Sequence, residues 1–124
     1  MNMASLVITQ GAGDGRQLPL TAKLVSLGRD DACDFQILDE RVSRKHLQVR
    51  AAPEGGHIAA DYRSANGVFL NDVRISEDAP LRDGDRIRIG DTTLVYLADE
   101  HATPEEAVAA ARKKGEWKRS TLIR

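Results

Sequence analysis

At 124 residues the chain falls in the size range of a single domain with one hydrophobic core. Its residues are 41% hydrophobic but only 4% aromatic, so Val, Ile, Leu and Ala must fill most of the core and few rings are left for stacking functions. With 18 basic against 19 acidic residues the net charge is -1, which excludes a global positive field for unselective binding of nucleic acid or anionic membrane; any basic site must be local.

Met1 to Gln10 lacks the basic start and long apolar run of a secretory signal, and no stretch approaches a membrane span. A soluble, cytoplasmic chain is expected, with neither membrane nor nucleic acid as partner. Leu6, Val7 and Ile8 form a β-rich run over residues 5–9, and Gly11, Gly13, Asp14 and Gly15 supply the turn of a hairpin leading into residues 16–20. A third strand over 23–27 carries Leu24, Val25 and Leu27 and stops at Gly28. Cys33 stands alone among Asp30, Asp31 and Asp34, which excludes an intrachain disulfide, suits a reducing compartment and disfavours a reactive thiolate.

Further strand-sized runs follow at 35–37, 46–51, 57–61, 68–70, 86–89 and 92–97, separated by segments such as Pro53-Glu54-Gly55-Gly56, Asn71-Asp72 and Asp83-Gly84-Asp85. Leu47, Val49 and Ala51 alternate with Gln48 and Arg50, and Ile87 and Ile89 with Arg86 and Arg88, so one face of each strand is wet. Short strands with regular turns predict an all-β antiparallel sandwich or barrel over residues 1–98. Residues 99–124 differ: Thr103 reads as an N-cap, Pro104 as the first helical residue and Glu106 as a capping-box partner, predicting a three-turn helix that stops at Gly115. Arg112, Lys113 and Lys114 would then sit at the negative end of its dipole. Beyond it, Trp117, Leu122 and Ile123 suggest docking on the sandwich or self-association through the tail, and Ser120 and Thr121 follow a basic pair that a kinase could read.

Three loops combine phosphate-binding residue types with tight turns: Gly28-Arg29, the stretch Ser43-Arg44-Lys45-His46, and Ser64-Ala65-Asn66-Gly67 running on to Asn71. A phosphate needs fixed cations and donors to compete with water, and Arg29, Ser43 and Arg44 are such groups, while the Asn66 amide can grip an extended peptide. At Gly28-Arg29, at Ser43 and His46 spaced S-x-x-H, at Asn66-Gly67 and at Asn71 the sequence resembles the forkhead-associated (FHA) domain family, over about residues 5–98.

The resemblance implies an eleven-stranded antiparallel sandwich that binds phosphothreonine in an extended peptide through loops at one end. On that basis Arg29 and Ser43 contact the phosphate, Arg44 flanks it, and Asn66 holds the peptide main chain. His46 braces the loop from within, and Gly28, Gly67 and Asn71 shape the site. Ala65 departs from the threonine or serine that many relatives carry before Asn-Gly, with Ser64 as a possible substitute donor; Arg41, two residues before Ser43, would favour an acidic residue C-terminal to the phosphothreonine.

The expected function is thus a phosphothreonine-dependent signalling adaptor. The alternative is a phosphate-independent scaffold that uses the same sandwich and its tail. No enzyme, metal or cofactor is expected: His46, His57 and His101 are scattered, Ser43 and His46 lack an orienting carboxylate, and Asp83-Gly84-Asp85 reads as a turn.

Overall fold

The computed structural model describes residues 4–123, with side chains from 4 to 115. Eleven strands precede one helix: β1 (Ser5–Gln10), β2 (Gln17–Pro19), β3 (Leu24–Gly28), β4 (Phe35–Gln36), β5 (Leu47–Ala51), β6 (His57–Asp61), β7 (Val68–Leu70), β8 (Val73–Arg74), β9 (Ala79–Pro80), β10 (Arg86–Ile89), β11 (Thr92–Leu97) and α1 (Pro104–Ile123). They form two packed sheets, ordered β2-β1-β11-β10-β7-β8 and β4-β3-β5-β6-β9. All pairings are antiparallel except the short parallel contact of β3 with β4. Each sheet ends on strands of only two or three residues, β2 and β8 in one and β4 and β9 in the other.

The core lies between the sheets and is aliphatic, as the scarcity of aromatic residues demands: Leu6, Ile8, Leu27, Leu47, Ile87 and Leu94 are fully buried there, joined by Tyr96. Burying each such side chain contributes roughly 1.5–3 kcal/mol. The strands β1 and β11 are also covered on their outer face, where Val7, Val95 and Leu97 meet Ala107 and Ala111 of α1. That second layer explains why Leu6-Val7-Ile8 and Leu94-Val95-Tyr96-Leu97 are unbroken apolar runs, while β10, bare on that side at Arg88, alternates.

The helix begins as its cap signals predict, with Thr103 Oγ1 accepting the Glu106 N–H at 3.1 Å. It does not stop at Gly115 but runs on to Ile123. Gly115 is buried where α1 touches the sheet, and a Cβ there would meet Val95 at 3.2 Å; its glycine serves close approach, not chain reversal. Arg112 and Lys114 therefore lie within the helix, not at its dipole end. They clamp it to the sandwich, Arg112 to Asp14 and Lys114 to Asp83, each at 2.6 Å. Trp117, Ser120, Thr121, Leu122 and Ile123 lie outside the residues whose side chains are described. Among the described residues no helix is long and apolar enough to cross a membrane.

Candidate functional site

The pairing register brings four loop segments to one end of the sandwich. Leu27, Leu47 and Asp61 share a row in one sheet, and Val68, Ile89 and Thr92 share one in the other. The segments that continue from these rows, around residues 28–30, 37–46, 62–67 and 90–91, consequently meet. Between the first two, the β-ladder persists past the strand ends: Arg29 N–H donates to the Ser43 carbonyl at 3.0 Å, Asp30 N–H to the Arg44 carbonyl at 3.1 Å, and His46 N–H to the Leu27 carbonyl at 3.0 Å.

Gly28 is needed because the Arg44 carbonyl lies against it: a Cβ at this position would collide with that oxygen and lie 2.9 Å from the Cys33 sulfur. The Cys33 thiol donates to the same carbonyl at 3.2 Å. Burial, then the nearby Asp30 carboxylate, pushes this thiol above its ordinary value, so it stays protonated and structural.

His46, fully buried, joins the second loop to the third. Its Nδ1 accepts the Ser43 N–H at 3.0 Å, so Nε2 must carry the ring proton in the neutral form, and it donates to the Gly67 carbonyl at 2.7 Å. Both ring nitrogens are thereby committed to backbone groups. Ser43 Oγ accepts the Ala65 N–H at 2.9 Å, a second tie between the same loops. Ser64 Oγ accepts the Gly67 N–H at 3.0 Å, and Gly67 takes a left-handed φ of 86° that favours glycine.

These braces leave definite groups over. Arg29 is exposed and spends Nε on the Val42 carbonyl at 3.0 Å, which orients its guanidinium while the two terminal nitrogens remain. Ser43 keeps its hydroxyl proton to donate, and Arg44 is exposed with its backbone, not its head group, committed to the fold. Asn66 donates one amide hydrogen to the Arg41 carbonyl at 2.8 Å and has a second N–H and a carbonyl oxygen left to offer. Arg41 is exposed, with Nε 3.6 Å from Asp91. Its loop is held by Asp39, which accepts from Arg41 N–H, Asp91 N–H and the Thr92 hydroxyl at 2.8–2.9 Å. Burial raises the Asp39 carboxyl, but these three donors outweigh it and hold the group below its ordinary value.

Thus Gly28, Arg29, Arg41, Ser43, Arg44, His46, Ala65, Asn66 and Gly67 are brought to one edge. Asn71 is not: it lies at the far end of β7, where it and Asp72 adopt left-handed φ values of 49° and 71° in the turn to β8. There its side chain bonds Asp85 at 3.0 Å and the Arg86 N–H at 2.9 Å. One neighbour escaped the sequence reading. The Arg74 side chain crosses Gly67 from β8, its Nε 2.6 Å from where a glycine Cβ would stand, and only the β7–β8 register brings it there. Asp83-Gly84-Asp85 is a turn, as expected, with both carboxylates accepting from the chain's own N–H groups. No group of three or more metal-ligating side chains occurs among the described residues.

The sequence profile of the FHA domain matches residues 25–90. The glycogen accumulation regulator GarA of Mycolicibacterium smegmatis is 35% identical over 95 residues, covering 76% of this chain, which spans 58% of that relative's length. Among solved structures, Mycobacterium tuberculosis EmbR in complex with a low affinity phosphopeptide superposes with a TM-score of 0.75 at 29% identity, covering 83% of this chain and 26% of EmbR. A domain studied for phosphothreonine-dependent FHA interactions gives a TM-score of 0.70 at 29% identity, covering 82% of this chain and 99% of that one. The fold, the loop constellation and the span of the match agree: the chain belongs to the FHA domain family.

Proposed function

We propose that this chain is a phosphothreonine-dependent protein-binding module that catalyses nothing. The observation that carries the reading is the buried His46 bridge, which fixes the Ser43 loop against the Gly67 loop and leaves two guanidinium groups, a hydroxyl and an amide together on one edge. Similarity to GarA and to FHA structures studied with phosphopeptides supports it. In this reading Arg29 and Ser43 bind the phosphate and Arg44 flanks it. Asn66 holds the peptide main chain, Arg41 lies beside the peptide, and Gly28, His46, Ala65 and Gly67 shape the loops, with Asn71 acting from further off.

The same geometry argues against catalysis. Ser43 reaches His46 through its backbone N–H, not its hydroxyl, and His46 has no nitrogen left to take a proton from a nucleophile. The unpaired Cys33 fits a cytoplasmic setting.

Charge-assisted hydrogen bonds to phosphate contribute roughly 1.5–3 kcal/mol each, so loss of the Arg29 fork removes most of the affinity. Titration calorimetry with a phosphothreonine peptide tests this. Arg29→Ala is expected to weaken binding at least tenfold while costing about 1 kcal/mol of stability through the lost Val42 bond. Wild-type binding should also decline below about pH 6 as the phosphate takes its second proton. Equal binding of the unphosphorylated peptide would favour the scaffold reading, to which Ala65, lacking a hydroxyl at the edge, gives some support.

A further inference from the structure

We propose that the outer face of β7, β8 and β10 extends the phosphopeptide edge as a subsite for acidic residues of the same bound peptide, with Arg74 and Arg88 as its cations. The inference rests on the phosphothreonine reading of the edge. The register places Arg74, Phe69 and Arg88 in one row across three strands. The row faces away from the core, because the adjacent Ile87 and Ile89 point inward and are fully buried. Among the described side chains, α1 covers the other half of this sheet, over Val7, Val95 and Leu97, and reaches β10 at Arg86.

Within the row the Arg88 guanidinium lies over the Phe69 ring, 4.1 Å from its centroid. Its Nη1 donates to the Gly90 carbonyl at 3.3 Å, at the loop end of the sandwich. Arg74 reaches toward the same end and lies across Gly67, the residue that follows Asn66 in the chain. Both arginines are exposed, and neither has a carboxylate within ion-pairing distance among the described residues, unlike Arg41, Arg50, Arg86 and Arg112. Two guanidinium groups with no carboxylate partner among the described residues thus flank Phe69 in one row, Arg88 held by that ring and the Gly90 carbonyl, and Arg74 lying across Gly67 in the loop that carries Asn66. Fixed cations without internal partners complement carboxylates. Being surface pairs, they add selectivity more than affinity.

The test uses the full chain and phosphothreonine peptides in which Glu replaces Ala at each flanking position in turn, with affinities measured by calorimetry at low and high salt. At least one position is expected to bind about three- to fivefold tighter with Glu than with Ala, with the gain shrinking as salt rises. In Arg74→Gln/Arg88→Gln, with folding checked by its thermal midpoint, that ratio should fall to about one; Arg74→Gln alone should lower it in part. A ratio unchanged in the double variant, or no gain at any position in the wild type, overturns the subsite while leaving the phosphate edge standing. Failure of the wild type to prefer phosphorylated over unphosphorylated peptide overturns both. A single-stranded oligonucleotide that displaces the peptide and loses affinity in the double variant would assign the face to nucleic acid and overturn the proposal.

Discussion

Gly28 has no room for a side chain, since a methyl group there would press on the backbone carbonyl of Arg44, which cannot swing aside without breaking its bonds from Asp30 and Cys33. Gly28→Ala is expected to cost about 2–3 kcal/mol, read from urea unfolding midpoints, and to loosen the proposed binding edge; a variant as stable as the wild type would show that the loop yields. Much at this scale was legible in the sequence. The S-x-x-H spacing, the Gly-Arg pair and Asn-Gly are local patterns, and the structure brings all three to one edge. The reasons behind them were not legible, because they depend on contacts across loops. Gly28 serves close approach where a sharp turn was expected, and Asn66 is tied through one hydrogen to the Arg41 carbonyl. Arg74 left no local signal at all, since it meets Gly67 only through the hairpin.

Between elements, a strand-to-strand polar contact joins the two sheets inside the sandwich: His57 of β6 bonds the Tyr96 hydroxyl of β11 through Nδ1 at 2.8 Å, with the rings edge to face. Burial lowers the His57 pKa from its ordinary 6.5, so the folded chain favours the neutral ring more than the unfolded chain does. The associated stability is fully present above pH 6.5 and is lost as the pH falls through the lowered folded value. Denaturant midpoints followed from pH 7.5 down to 5 should therefore drop, and the drop should flatten in His57→Gln. Strand runs of five or six residues were readable because alternation or apolar continuity needs that length to register. The strands β8 and β9, two residues each, carry no periodicity, and β9 holds only Ala79 and Pro80. The helix start was readable from its cap. Its end was misplaced because a glycine that stops a helix and one that lets it touch a sheet look alike in sequence.

Taken whole, the molecule is three layers: two sheets about one core, and a helix over half of the outer face of one. Small residues set that last spacing, and Gly115→Leu should drive α1 away from Val95, lowering the unfolding free energy by about 1–3 kcal/mol in thermal or urea melts. An unaltered melt would mean that the salt bridges of Arg112 and Lys114, not close packing, seat the helix. The terminal strands of both sheets have a further consequence. They are two or three residues long, and Pro19 in β2 and Pro80 in β9 offer no N–H to a newcomer. Such margins disfavour the annexing of a partner segment as a twelfth strand and the zipping of copies of the chain into fibrils. Loop tips and the broad faces of the sheets therefore offer a partner more than the edges do, and recognition by side chains is favoured over backbone templating.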